Sequence, residues 1–280
     1  MSSHYFGTGQ RPSLQKSCTP NVISAVASVG MGGTIRLFKF SGITVYLHFS
    51  WFLIAAYEFT QRLGIYAAPV WAAAEVIALF AIVLLHEFGH AFACRQTGGF
   101  AHRIVLWPLG GIAFVSPPRR PGAMLWSIAA GPLVNVVLVP ILTALVFLLG
   151  MPQPGGPDLV RFVWNVWQIN LVILIFNMLP VYPLDGGQIL RSLLWFPLGE
   201  IRSLQIASVI GLVASIPLFV LFWFLGMELF WAGFMTLFLI SRAVAGWQNA
   251  KALVREEEAN RAGRLVPTIP EPQRQVPPAP

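Results

Sequence analysis

Residues 70–90, VWAAAEVIALFAIVLLHEFGH, place a run that is apolar apart from Glu75 directly before a His-Glu-Phe-Gly-His motif. A run this long and this apolar reads as a helix crossing a bilayer. Two imidazoles and a carboxylate in such a segment are costly in lipid and call for partners or a function. On a helix, His86 and His90 lie one turn apart on one face, the spacing at which two imidazoles hold one metal ion. Glu87 lies one step round, where its carboxylate reaches a water on that metal. The five-residue pattern arises by chance in many chains. Its setting in a membrane segment makes a purely structural role the weaker reading.

The rest of the chain agrees with a membrane setting. Of 280 residues, 56% are hydrophobic and 10% charged, against about 25% charged in a soluble domain. Two cysteines, Cys18 and Cys94, imply no disulfide framework. Residues 1–20 are polar and lack the apolar core of a cleavable signal, so membrane entry is expected from internal helices. The expected fold is all-α and polytopic, with six transmembrane helices at 43–61, 69–94, 123–149, 159–179, 203–225 and 228–247, each near the roughly 20 residues a bilayer needs. Residues 1–42 read as a polar cytoplasmic leader, 43–247 as the membrane core, and 248–280 as a charged and then Pro-rich cytoplasmic tail, expected to be disordered. Between the second and third spans, Ile104-Val105-Leu106-Trp107 and Ile112-Ala113-Phe114-Val115 flank Pro108-Leu109-Gly110-Gly111. That pattern predicts a small membrane-associated β-hairpin, which must lean on protein or line a cavity. Its open edge would suit an extended peptide.

Charge orients the spans. Of the 18 Lys and Arg, only Arg62 and Arg161 fall on one side of these spans. Positive residues stay with the cytoplasm, so both termini are expected there. The net charge of +7 is thus a topology signal and not a nucleic-acid surface. Arg95 marks the cytoplasmic interface, and His86, nine residues earlier, lies about 13 Å deeper at about 1.5 Å per residue.

Two histidines leave a catalytic zinc one protein ligand short. The candidates are Asp185, Cys94, His48 and His102. Cys94 is a further turn along the same helix, too far to share an ion without bending; it reads as a small buried residue. His102, beside Arg103, reads as interfacial. His48 reads as an interfacial histidine or as an outer partner of a ligand. Asp185 follows Pro180 and Pro183, which end the fourth span on the same membrane side as the histidines. It would also serve as the N-cap of a short helix from about Gly187 to Trp195, a role compatible with ligation.

The pairing of His86-Glu87-Phe88-Gly89-His90 with Asn177-Met178-Leu179-Pro180-Val181-Tyr182-Pro183-Leu184-Asp185-Gly186 resembles the site-2 proteases, intramembrane zinc metalloproteases. That family's pattern is HExxH in one span and N-x-x-P-x-x-x-L-D-G in a later one, and every fixed position matches. Gly42 to His48, Pro108 to Gly111, and Ala130-Gly131-Pro132-Leu133-Val134-Asn135 resemble the family's first-span entry, hairpin and third-span start. The resemblance covers about residues 42–247. It implies one zinc ion held by His86, His90 and Asp185, with Glu87 as the catalytic carboxylate. It also implies cleavage of transmembrane protein substrates, single-span ones above all, within the lipid bilayer. No segment is long enough for the PDZ or nucleotide-sensing modules that some relatives carry.

Asn177 and Asn135 are candidates for a hydrogen bond to substrate or oxyanion; packing between helices is the competing role, and the stronger one for Asn135. Arg161, Asn165 and Gln168 form a helical stripe on the outer half of the fourth span, away from the metal, with no catalytic assignment. Two other functions compete: a zinc-dependent membrane hydrolase of a non-peptide substrate, and a non-enzymatic metal transporter. A transporter often shows repeats and a polar path across the bilayer, neither of which is visible here.

Overall fold

In a computed structural model, the structure describes residues 33–107, 110–224, 226 and 229–265. Pro108, Leu109, residues 1–32 and the Pro-rich ending 266–280 lie outside them. The chain runs β1 (Thr34–Phe40), β2 (Ile43–His48), α1 (Ser50–Arg62), α2 (Pro69–Gln96), β3 (Phe100–Trp107), β4 (Gly110–Ser116), α3 (Pro121–Leu149), α4 (Asp158–Met178), α5 (Asp185–Leu198), α6 (Glu200–Phe224) and α7 (Leu229–Leu265). Among the described residues, four helices are long and apolar enough to cross a membrane: α2, α3, α4 and the Glu200–Leu221 part of α6.

The first expected span is not one helix. Residues 43–48 form a strand, and α1 has 13 residues, about 20 Å at about 1.5 Å per residue, short of a hydrocarbon core of about 30 Å. The reason lies in Ile43-Thr44-Val45-Tyr46-Leu47, where β-branched and aromatic residues alternate between two faces. Ile43, Val45 and Leu47 turn inward and are buried; Thr44 and Tyr46 turn outward. The expected hairpin, β3–β4, is therefore half of a four-stranded sheet in the order β1-β2-β3-β4. β2 pairs with β3 in parallel, and the crossover that parallel pairing requires is α1 followed by α2. The other two pairings are antiparallel. Part of the expected leader is thus β1, an edge strand.

The sheet lies on the C-terminal half of α2. Ile43, Val45, Leu47, Ile104 and Leu106 pack with Phe88 and Ala91 in one buried cluster. Arg95, in the last turn of α2, fixes the junction: its guanidinium donates to the carbonyls of Ala101, 2.8 Å from Nε, and Ser41. β3 is thereby tied to α2, and β4, paired to β3, lies beside the HEFGH turn, where its Ala113 N–H reaches Glu87. A second cluster, Val181 with Leu218, Ala232 and Leu239, ties the segment after α4 to α6 and α7.

The Pro-rich ending, where disorder is expected, lies outside the described residues, but the charged part of the tail before it is ordered as helix. α7 continues through Leu265, so residues 248–265 are helical. Ala, Leu, Lys, Arg and Glu dominate there, all strong helix formers, and Glu257 pairs with Arg261 at 2.5 Å, one turn on.

Candidate metal centre

α2 presents His86 and His90 to α3 and α5, and all three candidate ligands are buried. His86 Nε2 lies 3.0 Å from Asp185 Oδ2 and 3.1 Å from His90 Nε2; His90 Nε2 lies 3.4 Å from the same Oδ2. Ligands at about 2.0–2.2 Å from a tetrahedral zinc stand about 3.3–3.6 Å apart, so the triangle is close to one face of that tetrahedron. Among the described residues this is the group of three that can hold a metal ion.

The outer ring nitrogens test the fit. His90 Nδ1 is 2.9 Å from the Ser127 carbonyl, which only accepts, so Nδ1 carries the hydrogen and the neutral ring has its lone pair on Nε2. His86 Nδ1 is 2.7 Å from Asn135 Oδ1, which gives the same assignment. Two lone pairs and a carboxylate oxygen then converge with no hydrogen between the imidazoles. Such a donor set fits a cation, and its composition of two histidines and one carboxylate fits zinc.

Close approach of α3 makes the geometry possible. A Cβ on Gly131 would lie 2.8 Å from His90 Cδ2 and closer still to Nε2 and Cε1. A Cβ on Gly89 would meet the Ala130 carbonyl oxygen at 2.5 Å. Only glycine leaves room for the two helices and the ring between them. Asp185 arrives from the other side. α4 stops at Met178, Pro180 and Pro183 prevent its continuation, and Asp185 is the first residue of α5. The N-cap position is Leu184, without a side-chain cap, so Asp185 is not the N-cap; its carboxylate turns to the histidines. Glu87 is buried beside them, and its Oε2 accepts the Ala113 N–H of β4 at 3.0 Å.

The other expected residues fall elsewhere. His48 ends β2; its Nδ1 contacts the Ser50 hydroxyl and its ring stacks on Trp107 at 4.7 Å, so it partners neither His86 nor His90. Cys94 is buried with its thiol 3.5 Å from the Phe100 carbonyl oxygen, and His102 is exposed on β3. Asn135 does not face an open site: Oδ1 is engaged by His86, and Nδ2 donates to Asn170 Oδ1 at 2.8 Å. Asn177, half-buried in the last turn of α4, has a side chain without a hydrogen-bond partner among the described residues. Asn170 escaped the sequence reading because the stripe was followed through residues 161, 165 and 168. Its signal was there, an amide between Ile169 and Leu171 in an apolar span.

That stripe splits. Gln168 is exposed, but Arg161 and Asn165 join a polar layer at the far end of the bundle. Glu75, almost fully buried, has Oε1 3.0 Å from Arg62 Nε. Its Oε2 accepts from Tyr66 at 2.5 Å and Asn165 at 3.0 Å. Burial first, and then Glu75, push the Tyr66 hydroxyl well above its ordinary range, so it stays a donor. Asp158 accepts the Ala67 and Ala68 N–H groups, while Arg161 donates to the Ile65 carbonyl. The 63–68 and 150–157 connections therefore lie together at one end.

The model of "Peptidase family M50" matches residues 74–154 and 155–222, more than half of the chain. The zinc metalloprotease MJ0392 of Methanocaldococcus jannaschii is 33% identical over 181 residues, covering 65% of this chain and 51% of that protein. A Synechocystis relative with a provisional zinc metalloprotease name is 28% identical over 256 residues, covering 86% of this chain and 66% of that one. Among solved structures, the site-2 protease from Methanocaldococcus jannaschii superimposes with a TM-score of 0.54 at 28% identity, covering 76% of this chain and 95% of that one. This chain spans about half the length of the first of these relatives.

Proposed function

The chain belongs to peptidase family M50, and from that membership we propose that it is an intramembrane zinc metalloprotease. His86, His90 and Asp185 hold the ion, and Glu87 is the general base. The observation that carries this reading is the convergence of three electron-pair donors within 3.4 Å of one another, beside a buried carboxylate that ligates nothing. Zinc, when bound, supplies a Lewis acid and brings a water's pKa to near 7. Glu87 is placed to accept a proton from an attacking water and would return it to the leaving amine. The Ala113 N–H holds the Glu87 carboxylate in place. Asn177, whose amide has no partner among the described residues, donates to the substrate backbone.

The substrate is an extended segment of a transmembrane protein, most simply a single-span one. β4 is a sheet edge at the base, and an unwound strand of substrate would add to it through main-chain hydrogen bonds. This favours a peptide over a non-peptide substrate. The transporter reading is disfavoured by α2 itself. Residues 76–85, between buried Glu75 and His86, are all apolar, so no polar path on that helix joins the two layers. The topology we infer has β2 with α1 as the first crossing, then α2, α3, α4, α6 and the apolar part of α7, with both termini cytoplasmic.

The test is Glu87→Gln in full-length protein purified in detergent, with bound zinc measured beside cleavage of a membrane-span peptide. The amide keeps the shape but cannot accept the proton, so zinc is expected to stay and cleavage to vanish. Retention of most activity would remove Glu87 as the base. A wild-type protein that binds zinc but cuts no peptide would move the alternatives ahead.

A further inference from the structure

We propose that Asn170 is a positioning residue that sets the tautomer of His86 through Asn135. The proposal rests on the reading of His86 as a metal ligand and asks what makes it one.

One atom beside the two amides, the main-chain oxygen of Asn135, only accepts. The Asn170 amide nitrogen donates to the main-chain carbonyl of Asn135 at 3.1 Å, which fixes which end of the Asn170 amide is which. Asn170 Oδ1 then faces Asn135 and accepts from its amide nitrogen at 2.8 Å. That leaves Asn135 Oδ1 toward His86 Nδ1 at 2.7 Å, so Nδ1 must bear the hydrogen. In the neutral imidazole Nε2 is left with a lone pair, aimed at the metal position. Each step follows from donor and acceptor inventory. Both asparagines are 0% exposed, deep between α3 and α4, where no bulk water would satisfy a reversed amide.

Without Asn170, the two ends of the Asn135 amide are nearly the same shape and can exchange. The reversed amide would present a donor to His86 Nδ1, which then carries the lone pair, and the hydrogen moves to Nε2. That hydrogen has a ready acceptor in Asp185 Oδ2, 3.0 Å away. The result is a satisfied, metal-free site in which one ligand atom is capped and another is occupied. Asn170 excludes this competitor. His90 needs no such device, because its outer partner is a carbonyl.

The direct readout is the 15N spectrum of histidine in metal-free, full-length protein in micelles, with His86 assigned by loss of its signals in His86→Gln. Wild type should show His86 protonated at Nδ1. In Asn170→Leu a second population protonated at Nε2 should appear, and zinc affinity, by chelator competition, should fall about 10–100-fold, the usual effect of losing an outer partner. Asn135→Asp combined with Asn170→Leu should restore both the Nδ1–H form and zinc affinity, because a carboxylate has no wrong way round. A role in packing alone predicts no rescue and no change of tautomer. If Asn170→Leu does not fold, Asn170→Ala takes its place in both arms. An unchanged His86 tautomer in the substituted protein, or failure of the double variant to restore zinc, overturns the proposal. Because the spectrum is read without metal, failure of the zinc reading itself shows separately, as wild type that binds no zinc.

Discussion

Gly131→Ala is the sharpest test of the metal centre, because a single methyl group is aimed at one ligand. The added Cβ would sit 2.8 Å from His90 Cδ2 and closer to Nε2. Ordinary contact begins near 3.4 Å, so the ring must retreat by at least about 0.6 Å at Cδ2 and by more at Nε2, on a scale where zinc–nitrogen bonds hold to about ±0.2 Å. The backbone cannot easily give, since Gly89 already lies against the Ala130 carbonyl one residue away. His90 should therefore be lost as a ligand. Structural zinc sites bind with about 10–16 kcal/mol through four ligands, so one ligand is worth about 3 kcal/mol, or about 10²-fold in affinity. Chelator competition on purified protein measures this directly. Peptide cleavage at saturating zinc shows whether the two-ligand site still works, and it should be largely inactive. The thermal midpoint of the metal-free protein should change far less than zinc affinity. If Gly131→Ala holds zinc within about threefold of wild type, less than about 1 kcal/mol, then His90 is not a ligand in the geometry described.

His86→Ala should lose both zinc and cleavage, and Asp185→Asn should keep part of its zinc with a poorer third ligand; equal zinc in all three proteins by metal analysis would refute the ligand set. Arg62→Ala leaves the Glu75 carboxylate buried without its cation and should cost about 1–3 kcal/mol, toward the low side of buried-pair losses because Arg62 is partly exposed. Adding Glu75→Gln should recover part of that loss in thermal unfolding, and a double variant less stable than the single would count against the pair. Reporter fusions in the 63–68 and 150–157 connections should both read external, and a cytoplasmic signal at either would reverse the topology.

What was legible in the sequence is what depends on short range or on fixed spacing. His86 and His90 share a face because a helix turns in about 3.6 residues, and Asp185 follows two prolines that end a span whatever surrounds them. The sheet was half visible. β3 and β4 are only two residues apart in sequence, so their pairing is local, whereas β2 meets β3 only after α1 and α2 have carried the chain across and back. A six-residue apolar strand running into an apolar helix looks like one hydrophobic segment, and nothing local separates strand from helix there. The same distinction explains Asn135 and Asn170. Each reads as a polar residue in a span, which marks it as costly but not as belonging to anything. The role appears only when α3 and α4 are side by side and the hydrogen bonds acquire direction. The proposed ligands are thus written in motifs, but the hydrogen that would make His86 a ligand is set, on the proposal above, by two residues 49 and 84 positions away in sequence. Substitutions at Asn170 should for that reason alter zinc binding while leaving both motifs intact.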